Sequence, residues 1–275
     1  MYKLVVSDLD GTLLDPDHRI GDYTLEVMTR LNAAGVELIL ASGRHFMDVR
    51  ALSARLGSRG CLITCNGAAI NDHQGRLMHS RGIDPVTAHF LLHDPLFDSI
   101  HTNLFLADAW LVEEPAPELL TYHQESGFAY QVFDFDQLQD ADLLKVFFYG
   151  EHTRLLELQA QIQQRGGERL CTTFSLPQTL EIMAAGVDKG SALQLVLEDR
   201  GLSTADVLCF GDGLNDLEML SLVANGSGKA LLMEKCRSTP ACRSAGIGSH
   251  RQPPGPSRRP VSGQTAANRS LGLTR

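Results

Sequence analysis

The 275-residue sequence has no long apolar run, which argues against membrane-spanning helices. Its longest apolar stretches, such as VELILA and LLKVFFYG, are strand-sized, whereas a spanning helix needs about 20 apolar residues. Strand-like sequence begins within a few residues of the N-terminus and leaves no room for a signal peptide. We therefore expect a cytoplasmic protein without a membrane partner.

Cysteine is sparse, and its six residues form no paired framework. Cys61 and Cys65 have a C-x₃-C spacing, but no second pair accompanies them, which argues against a zinc site. We expect reduced and mostly buried thiols.

Residues 237–275 contain no acidic side chain. They contain seven arginines and no lysine, out of 24 basic residues in the whole chain. The preceding residues 1–236 therefore carry 17 basic against 33 acidic side chains, a net charge of −16. Such an acidic body argues against a nucleic-acid partner. The sequence gives no indication of the oligomeric state.

The same segment is also poor in large apolar residues, with only Ile247, Val261, Leu271 and Leu273, while it holds five of the eleven prolines. This composition predicts disorder. It has two interpretations: a genuine basic tail that binds anionic surfaces, or coding sequence read out of frame after a frameshift near residues 224–236. We prefer the frameshift.

The first third of the chain alternates strand and helix patterns. Strands are predicted at YKLVVSDL, VELILA and CLITC, with amphipathic helices between them that end at glycines. Continuous apolar strands in this order predict a parallel sheet covered on both faces. Asp8, Ser42 and Asn66 follow the three strands, at the edge where such sheets carry their sites.

From about residue 82 the pattern changes to six strand candidates with helices at about 84–94, 116–126 and 152–165, which predicts an inserted α+β unit. The α/β pattern then returns. We expect a discontinuous core domain over residues 1–82 and 185–236, an inserted domain over 83–184, and an atypical tail over 237–275.

The stretch VVSDLDGTLLD raises a question of charge. If Asp8 and Asp10 lie on a strand, their side chains project to the same face. Two like charges about 4 Å apart repel by roughly 4 kcal/mol at an effective dielectric constant near 20, so something must offset that repulsion. Three later stretches are similar in kind: LILASGR, DKG and LCFGDGLND.

In this order, these four stretches resemble those of the haloacid dehalogenase-like phosphatase superfamily. The insert resembles the C2-type cap of its Cof-like branch, and the motifs are most similar to the sugar-phosphate and pyridoxal-phosphate phosphatases of that branch. The likeness covers roughly residues 1–233. It implies an α/β fold, with a Rossmann-like parallel-sheet core and an inserted α+β cap domain.

The resemblance also implies a set of roles. Asp8 is the expected nucleophile, and Asp10 is expected to protonate the leaving oxygen and then activate water. An all-oxygen cluster suits Mg²⁺. The expected metal-binding residues are Asp8, Asp10 (through its backbone carbonyl) and Asp212, with Asp216 and Thr12 supporting them from behind. The residues expected to hold the phosphoryl oxygens are Leu9, Ser42, Gly43, Lys189 and Asn215.

The expected function is therefore Mg²⁺-dependent hydrolysis of phosphate monoesters of small metabolites, such as sugar phosphates or pyridoxal phosphate, through an aspartyl-phosphate. The alternatives are a phosphomutase-like phosphotransferase and a catalytically impaired paralogue that binds phosphometabolites. Each residue also has a plainer explanation: an Asp after a strand is often a turn former, and Asp216 could simply cap a helix. The histidines His45, His89, His93, His101 and His123 are expected to be surface or structural residues.

Overall fold

The computed structural model describes residues 2–124, 126–138 and 142–233, and the backbone of residues 248–250. The helices are α1 Asp22–Ala33, α2 Phe46–Arg55, α3 Pro85–His93, α4 His152–Gly166, α5 Lys189–Asp199 and α6 Leu217–Asn225. The strands are β1 Leu4–Ser7, β2 Glu37–Ala41, β3 Leu62–Thr64, β4 Ala69–Asn71, β5 Leu77–Ser80, β6 His101–Phe105, β7 Trp110–Val112, β8 Gln131–Val132, β9 Lys145–Tyr149, β10 Leu170–Leu176, β11 Thr179–Ala184, β12 Val207–Gly211, β13 Lys229–Met233 and β14 Gly248–His250.

The larger sheet has the strand order β14-β13-β12-β1-β2-β3-β4-β5. Its strands from β14 to β3 run parallel, as the α/β pattern predicts. The sequence did not predict β4 and β5, which continue the sheet as antiparallel strands. They were missed because they are short and because β5 is largely exposed, so it carries no apolar signal.

Both faces of the larger sheet are covered, because successive side chains of a strand point to opposite sides. On β1, Leu4 and Val6 pack against helices α5 and α6, whereas Val5 packs against α1 and α2. Ile39 and Leu40 divide in the same way on β2. Burying each such side chain contributes about 1.5–3 kcal/mol, which is why continuous apolar runs form the central strands.

The smaller sheet has the order β10-β11-β9-β6-β7-β8 and is antiparallel except where β7 pairs with β8. We call it the cap sheet; α3 and α4 accompany it. The helix predicted over 116–126 is instead a run of 3₁₀ turns over Pro117–His123. The predicted domain boundaries near residues 82 and 184 fall between the strands of the two sheets and stay predictions.

Strand β14 lies within the segment for which the sequence predicts disorder. Its three residues pair with the edge strand β13, and such pairing uses backbone groups only, so it needs no apolar pattern. The sequence did not predict this short strand. The rest of residues 237–275, and with it the choice between a genuine tail and a frameshift, lies outside the described residues.

The described residues bear on the expectations about membrane-spanning helices and about the cysteine thiols. In that part of the chain, no helix is both long and apolar enough to span a membrane. The thiols there are free: Cys61, Cys65 and Cys209 are buried and Cys171 is half-buried. Burial raises the pKa of Cys61 to about 11 and that of Cys65 to about 12, so both stay protonated and inert.

Candidate active site

The predicted motifs meet at one edge of the larger sheet. Strands β12, β1, β2 and β3 are parallel neighbours, so their carboxyl ends lie side by side. Asp212, Asp8 and Ser42 directly follow the first three of these strands, and Cys65 follows β3. Parallel pairing therefore brings together residues that are up to about 200 positions apart in the sequence.

Asp8 is buried and forms an ion pair with Lys189, whose Nζ lies 2.7 Å from Asp8 Oδ1 and 2.7 Å from Asp216 Oδ1. Lys189 starts helix α5, which Asp188 caps by accepting a hydrogen bond from Ser191 N. Burial raises the pKa of Asp8 well above its usual value, and the charge of Lys189 opposes that rise. The carboxylates of Asp216 and Asp8 hold the pKa of Lys189 above its usual value, although Lys189 is completely buried.

Three carboxylates form an acidic cluster. Asp8, Asp212 and Asp216 each offer an oxygen, and these oxygens lie within 4.8 Å of one another. Asp216 Oδ2 already accepts hydrogen bonds from the backbone N–H groups of Asp212 and Gly213, and its Oδ1 accepts from Lys189. Both oxygens of Asp216 are therefore engaged by donors of the chain, and its supporting role stays a prediction.

Two residues of the turn after β1 shape the same cluster. Thr12 donates a hydrogen bond to Asp212 Oδ1 at 2.9 Å, so it orients a predicted metal-binding residue. Gly11 has φ +84°, and a Cβ there would lie 2.3 Å from Asp212 Oδ2. Only glycine leaves that carboxylate its place.

Asp10 is not on the strand, so the expectation that it shares a strand face with Asp8 is wrong. Strand β1 ends at Ser7, and residues Leu9–Leu13 form a tight turn in which the backbone of Asp10 is extended and that of Gly11 is left-handed. The Asp10 carboxylate accepts two hydrogen bonds from Arg44, at 2.7 Å from Nε and 2.6 Å from Nη2, and lies 2.9 Å from His18 Nδ1. Burial would raise the pKa of Asp10, but the bonds from Arg44 and His18 outweigh it and hold that pKa well below its usual value.

The chain thus offsets the charges of both N-terminal aspartates with its own cations. Asp8 is paired with Lys189, and Asp10 is paired with Arg44. The sequence motifs indicate no protein partner for Asp10. Arg44 stands in the quoted stretch LILASGR, 34 positions after Asp10, and it reaches Asp10 only because the turns after β1 and β2 lie side by side.

Arg44 also connects the turn after β2 with the 3₁₀ turns over Pro117–His123. Its Nη1 donates to Asp48 Oδ2 at 2.9 Å and to the backbone oxygen of Tyr122 at 2.8 Å. Asp48 Oδ2 lies 2.9 Å from His123 Nδ1 as well. A single guanidinium therefore joins Asp10 to the 3₁₀ turns of the cap.

His45 makes a second connection. Its Nδ1 accepts a hydrogen bond from Met47 N at the start of α2, so its Nε2 is the nitrogen that donates to the Leu106 backbone oxygen at 2.7 Å. Its ring stacks on Phe128 at 4.5 Å between centroids. Burial lowers the pKa of His45 to about 4, which keeps it neutral and in a structural role.

The turn after β3 brings Asn66 into the site. Cys65, Asn66 and Gly67 all have positive φ, and a Cβ on Gly67 would lie 2.3 Å from the Asp188 backbone oxygen. The turn therefore packs tightly against the start of α5. In this conformation Asn66 Oδ1 accepts a hydrogen bond from Asn215 Nδ2 at 3.1 Å.

The residues expected to hold a phosphoryl group fall into two sets. Ser42, Gly43 and Asn215 line one cavity together with Asp8, Asp10 and Asp212. Leu9 and Lys189 are fully buried and do not line it. Ser42 Oγ accepts a hydrogen bond from the Arg44 backbone N–H at 3.1 Å.

That cavity has a volume of about 190 Å³. Opposite the aspartates it is lined by cap residues, among them Phe105, Trp110, Phe147, Lys145 and Glu181. Lys145 Nζ donates to Glu181 Oε1 at 2.7 Å and to the backbone oxygen of Gly43 at 2.6 Å. The sequence analysis missed this pair, although a lone charge in each of the apolar strands LLKVFFYG and TLEIMA was an available signal.

Comparison with known proteins is consistent with this arrangement. Residues 5–230 match the family described as haloacid dehalogenase-like hydrolase. The HMP-PP phosphatase of Enterobacter sp. (strain 638) is 38% identical over 226 residues, which cover 82% of this chain and 83% of the relative. The HMP-PP phosphatase of Serratia proteamaculans (strain 568) is 37% identical over 227 residues, with the same coverage.

Solved structures show the same fold. A haloacid dehalogenase-like hydrolase from Bacteroides thetaiotaomicron superposes with a TM-score of 0.79 at 22% identity, covering 91% of this chain and 94% of that one. A haloacid dehalogenase-like hydrolase from B. subtilis superposes with a TM-score of 0.77 at 24% identity, covering 90% and 94%.

Proposed function

Because the chain belongs to the haloacid dehalogenase-like hydrolase family and is a phosphatase, we propose that it hydrolyses small phosphorylated metabolites at Asp8 through an aspartyl-phosphate. HMP-PP, the compound named for its relatives, is the first substrate to test. The observation that carries the proposal is the pairing of a buried cavity carboxylate, Asp8, with the fully buried Lys189.

The proposed roles follow from the contacts. Lys189 orients Asp8 and favours its ionised, nucleophilic form against the cost of burial. Arg44 and His18 hold Asp10 as a carboxylate, the form that activates water to break down the aspartyl-phosphate. Protonation of the leaving oxygen by Asp10 in the first half-reaction requires these hydrogen bonds to loosen, because they favour the charged form.

The donor set fits a divalent cation. Oxygens of Asp8 and Asp212 converge, Gly11 leaves room beside Asp212, and Asp216 is held back by three N–H groups. We propose that Asp8, Asp212 and the Asp10 backbone carbonyl bind Mg²⁺, because an all-oxygen set suits this ion. When bound, the ion would supply positive charge that lowers the pKa of Asp8 and stabilises the transferring phosphoryl group.

The proposal extends to the organisation of the chain. We propose that residues 1–82 and 185–236 form the catalytic core and residues 83–184 a cap that covers it, since the cavity is lined from both parts. Ser42, Gly43 and Asn215, which line the cavity, and the backbone at Leu9 are the proposed phosphate-binding groups.

The test is hydrolysis of p-nitrophenyl phosphate and HMP-PP with Mg²⁺, with EDTA, and by Asp8→Asn. We expect turnover that needs the metal and falls by about 10⁴-fold or more in the variant, because its amide is not a nucleophile. Asp17→Asn, a change at an exposed aspartate, is the matched control and should behave as wild type.

Circular dichroism of all proteins separates loss of chemistry from loss of fold. Free phosphate as the product supports a hydrolase, whereas transfer of the phosphoryl group to a second metabolite would favour a phosphotransferase. A folded wild-type protein without turnover, or a fully active Asp8→Asn variant, would overturn the proposal and favour a binding protein.

A further inference from the structure

Both side chains that hydrogen-bond to the Asp10 carboxylate also contact Tyr122, a residue of the 3₁₀ turns over Pro117–His123. Arg44 donates to Asp10 from Nε and Nη2, and it donates to the Tyr122 backbone oxygen from Nη1 at 2.8 Å. His18, whose Nδ1 lies 2.9 Å from Asp10 Oδ1, packs edge to face against the Tyr122 ring at 5.3 Å between centroids. Tyr122 therefore contacts both partners of Asp10.

The backbone of His18 is fixed by the turn in which it lies. Asp15 N donates to the Arg19 backbone oxygen and His18 N donates to the Asp15 backbone oxygen, both at 2.9 Å. Asp15 Oδ1 also accepts hydrogen bonds from the backbone N–H groups of Asp17 and Arg19. His18 has φ +59° in this turn, a left-handed conformation that residues other than glycine rarely adopt. Such a conformation at a non-glycine residue is typical of side chains that are held in place for a function.

The side chain of His18 is restrained less than its backbone. It is 35% exposed, and in the described part of the chain its hydrogen bond to Asp10 and its contact with the Tyr122 ring are the only polar or ring contacts found. Arg44 is different, because it is nearly buried and donates to Asp48 as well. An exposed imidazole can adopt other rotamers, so the Tyr122 ring restricts His18 more than it restricts Arg44.

The direction of the Asp10 carboxylate matters most when the proposed aspartyl-phosphate breaks down. In that step the oxygen of a water bonds to phosphorus, and the bond between phosphorus and the Asp8 oxygen breaks with its electron pair returning to Asp8. The water gives its proton to the Asp10 carboxylate. A general base must lie within hydrogen-bond reach of that proton, and a small misplacement slows the step. The Asp10 side chain is 38% exposed, so its direction depends on Arg44 and His18.

Building on the proposed phosphatase function, we propose that Tyr122 is a positioning residue that fixes the direction of the Asp10 carboxylate for the attack of water on the aspartyl-phosphate. Its ring acts through His18, and its backbone oxygen acts through Arg44. A substitution removes the ring and leaves the backbone oxygen, so the ring is the part that can be tested. No hydrogen bond of the Tyr122 hydroxyl is found among the described residues, so phenylalanine should serve equally well.

The test is rapid-quench kinetics with p-nitrophenyl phosphate and Mg²⁺, which measures formation and breakdown of the aspartyl-phosphate separately. In Tyr122→Leu we expect breakdown to slow by about tenfold, a part of the roughly 10²–10⁴-fold that a positioned acid–base group contributes. Formation should change by less than about twofold, because p-nitrophenolate leaves without a proton and does not need Asp10 as an acid. The phosphorylated protein should therefore accumulate in this variant.

Two controls separate positioning from a structural role. Tyr122→Phe keeps the ring and should restore the wild-type rate of breakdown. Tyr23→Leu makes the same change at an exposed ring and should alter neither rate. Circular dichroism verifies the fold of each protein. An unchanged rate of breakdown in folded Tyr122→Leu, equal slowing of formation and breakdown, or equal slowing in Tyr122→Phe would overturn the inference.

A double-mutant cycle tests the route through His18. If the ring acts through His18, breakdown in His18→Leu/Tyr122→Leu should be no slower than in His18→Leu alone. Losses that multiply in the double variant would show that the two side chains act independently, which contradicts the inference. Absence of Asp8-dependent p-nitrophenol release from the wild-type protein would refute the proposed function and this inference with it, whereas release with no separate effect on breakdown in Tyr122→Leu refutes this inference alone.

Discussion

The two sides of the cavity are built differently. The side from the larger sheet consists of short polar residues on turns that follow parallel strands, with Asp8, Ser42 and Asp212 as examples. The opposite side combines residues of antiparallel strands, such as Phe105, Trp110 and Phe147, with residues of the 3₁₀ turns over Pro117–His123, and its strands contribute the buried ion pair between Lys145 and Glu181. The first side presents charged and polar groups on turns, whereas the second presents mainly large side chains.

This difference suggests a division of labour. Groups on turns can converge on one reacting phosphorus because each turn sets its own direction, whereas side chains on a sheet face form a surface against which a leaving group packs. Changes on the core side should therefore alter turnover of every ester by a similar factor. Changes on the cap side should alter the ratio between esters.

After Asp8→Asn, the largest effect is expected for Lys189→Met. Loss of the ammonium removes the partner of Asp8 and Asp216, so kcat should fall by about 10³-fold. The fall should be the same for p-nitrophenyl phosphate and HMP-PP, measured by steady-state kinetics on protein whose fold is verified by circular dichroism. Lys229→Met is the control, and a fall confined to one ester would contradict the division of labour.

Arg44→Met tests a residue that belongs to both sides, since it contacts Asp10 and the Tyr122 backbone. Turnover should fall by about 10²-fold, the scale of a disturbed general acid–base group. The ratio between esters should change as well, because the cap loses a contact. Arg76→Met, at an exposed arginine, should change neither quantity. An unchanged kcat would show that the Arg44–Asp10 pair has no part in catalysis.

The stability of the contact between the two sides should depend on pH through His45. Its pKa of about 4 lies below the value of about 6.5 in the unfolded chain, so its contribution is complete above pH 6.5 and is lost as pH falls toward 4. The free energy of unfolding should fall by about 2 kcal/mol from this residue between about pH 7.5 and 5. Urea unfolding of wild type and His45→Gln at both pH values measures the difference; parallel losses in the two proteins would contradict it.

The smallest effect is expected within the cap. Trp110→Phe keeps an aromatic ring but removes the hydrogen bond from Nε1 to Asn103 Oδ1, 3.0 Å away and buried. An unsatisfied buried acceptor costs about 1–2 kcal/mol of unfolding free energy. Tyr23→Phe, at an exposed ring, is the control for urea unfolding. Equal midpoints for all three proteins would show that the hydrogen bond contributes nothing.

The sequence predicted the central strands and their helices because each has a strong local signal, an apolar run or an apolar helical face. It missed β4 and β5, whose few residues carry neither. On the core side it identified Asp8 and Asp212 because their motifs are short and local. It misplaced Asp10 because strand β1 ends at Ser7 and the chain turns at Leu9, before it reaches Asp10.

The cap side was largely hidden from sequence reasoning for a different reason. Lys145 and Glu181 are 36 positions apart and meet only through strand pairing, so neither has a local motif that indicates a partner. Asn66 was noted at a strand end, but its role depends on a left-handed turn that brings it between Asn215 and Glu181. For such contacts the sequence shows at most a lone charge in an apolar strand, and not the partner of that charge.

The bonds that join the two sides have one property with an evolutionary consequence. Lys145, Arg44 and His45 reach across to the backbone oxygens of Gly43, Tyr122 and Leu106. Every residue type supplies such an oxygen, so the acceptor survives almost any substitution at its position. Substitutions on one side of the cavity can therefore accumulate while the hydrogen bonds from the other side are kept. New substrate preferences can arise in this way without a change in the residues around Asp8.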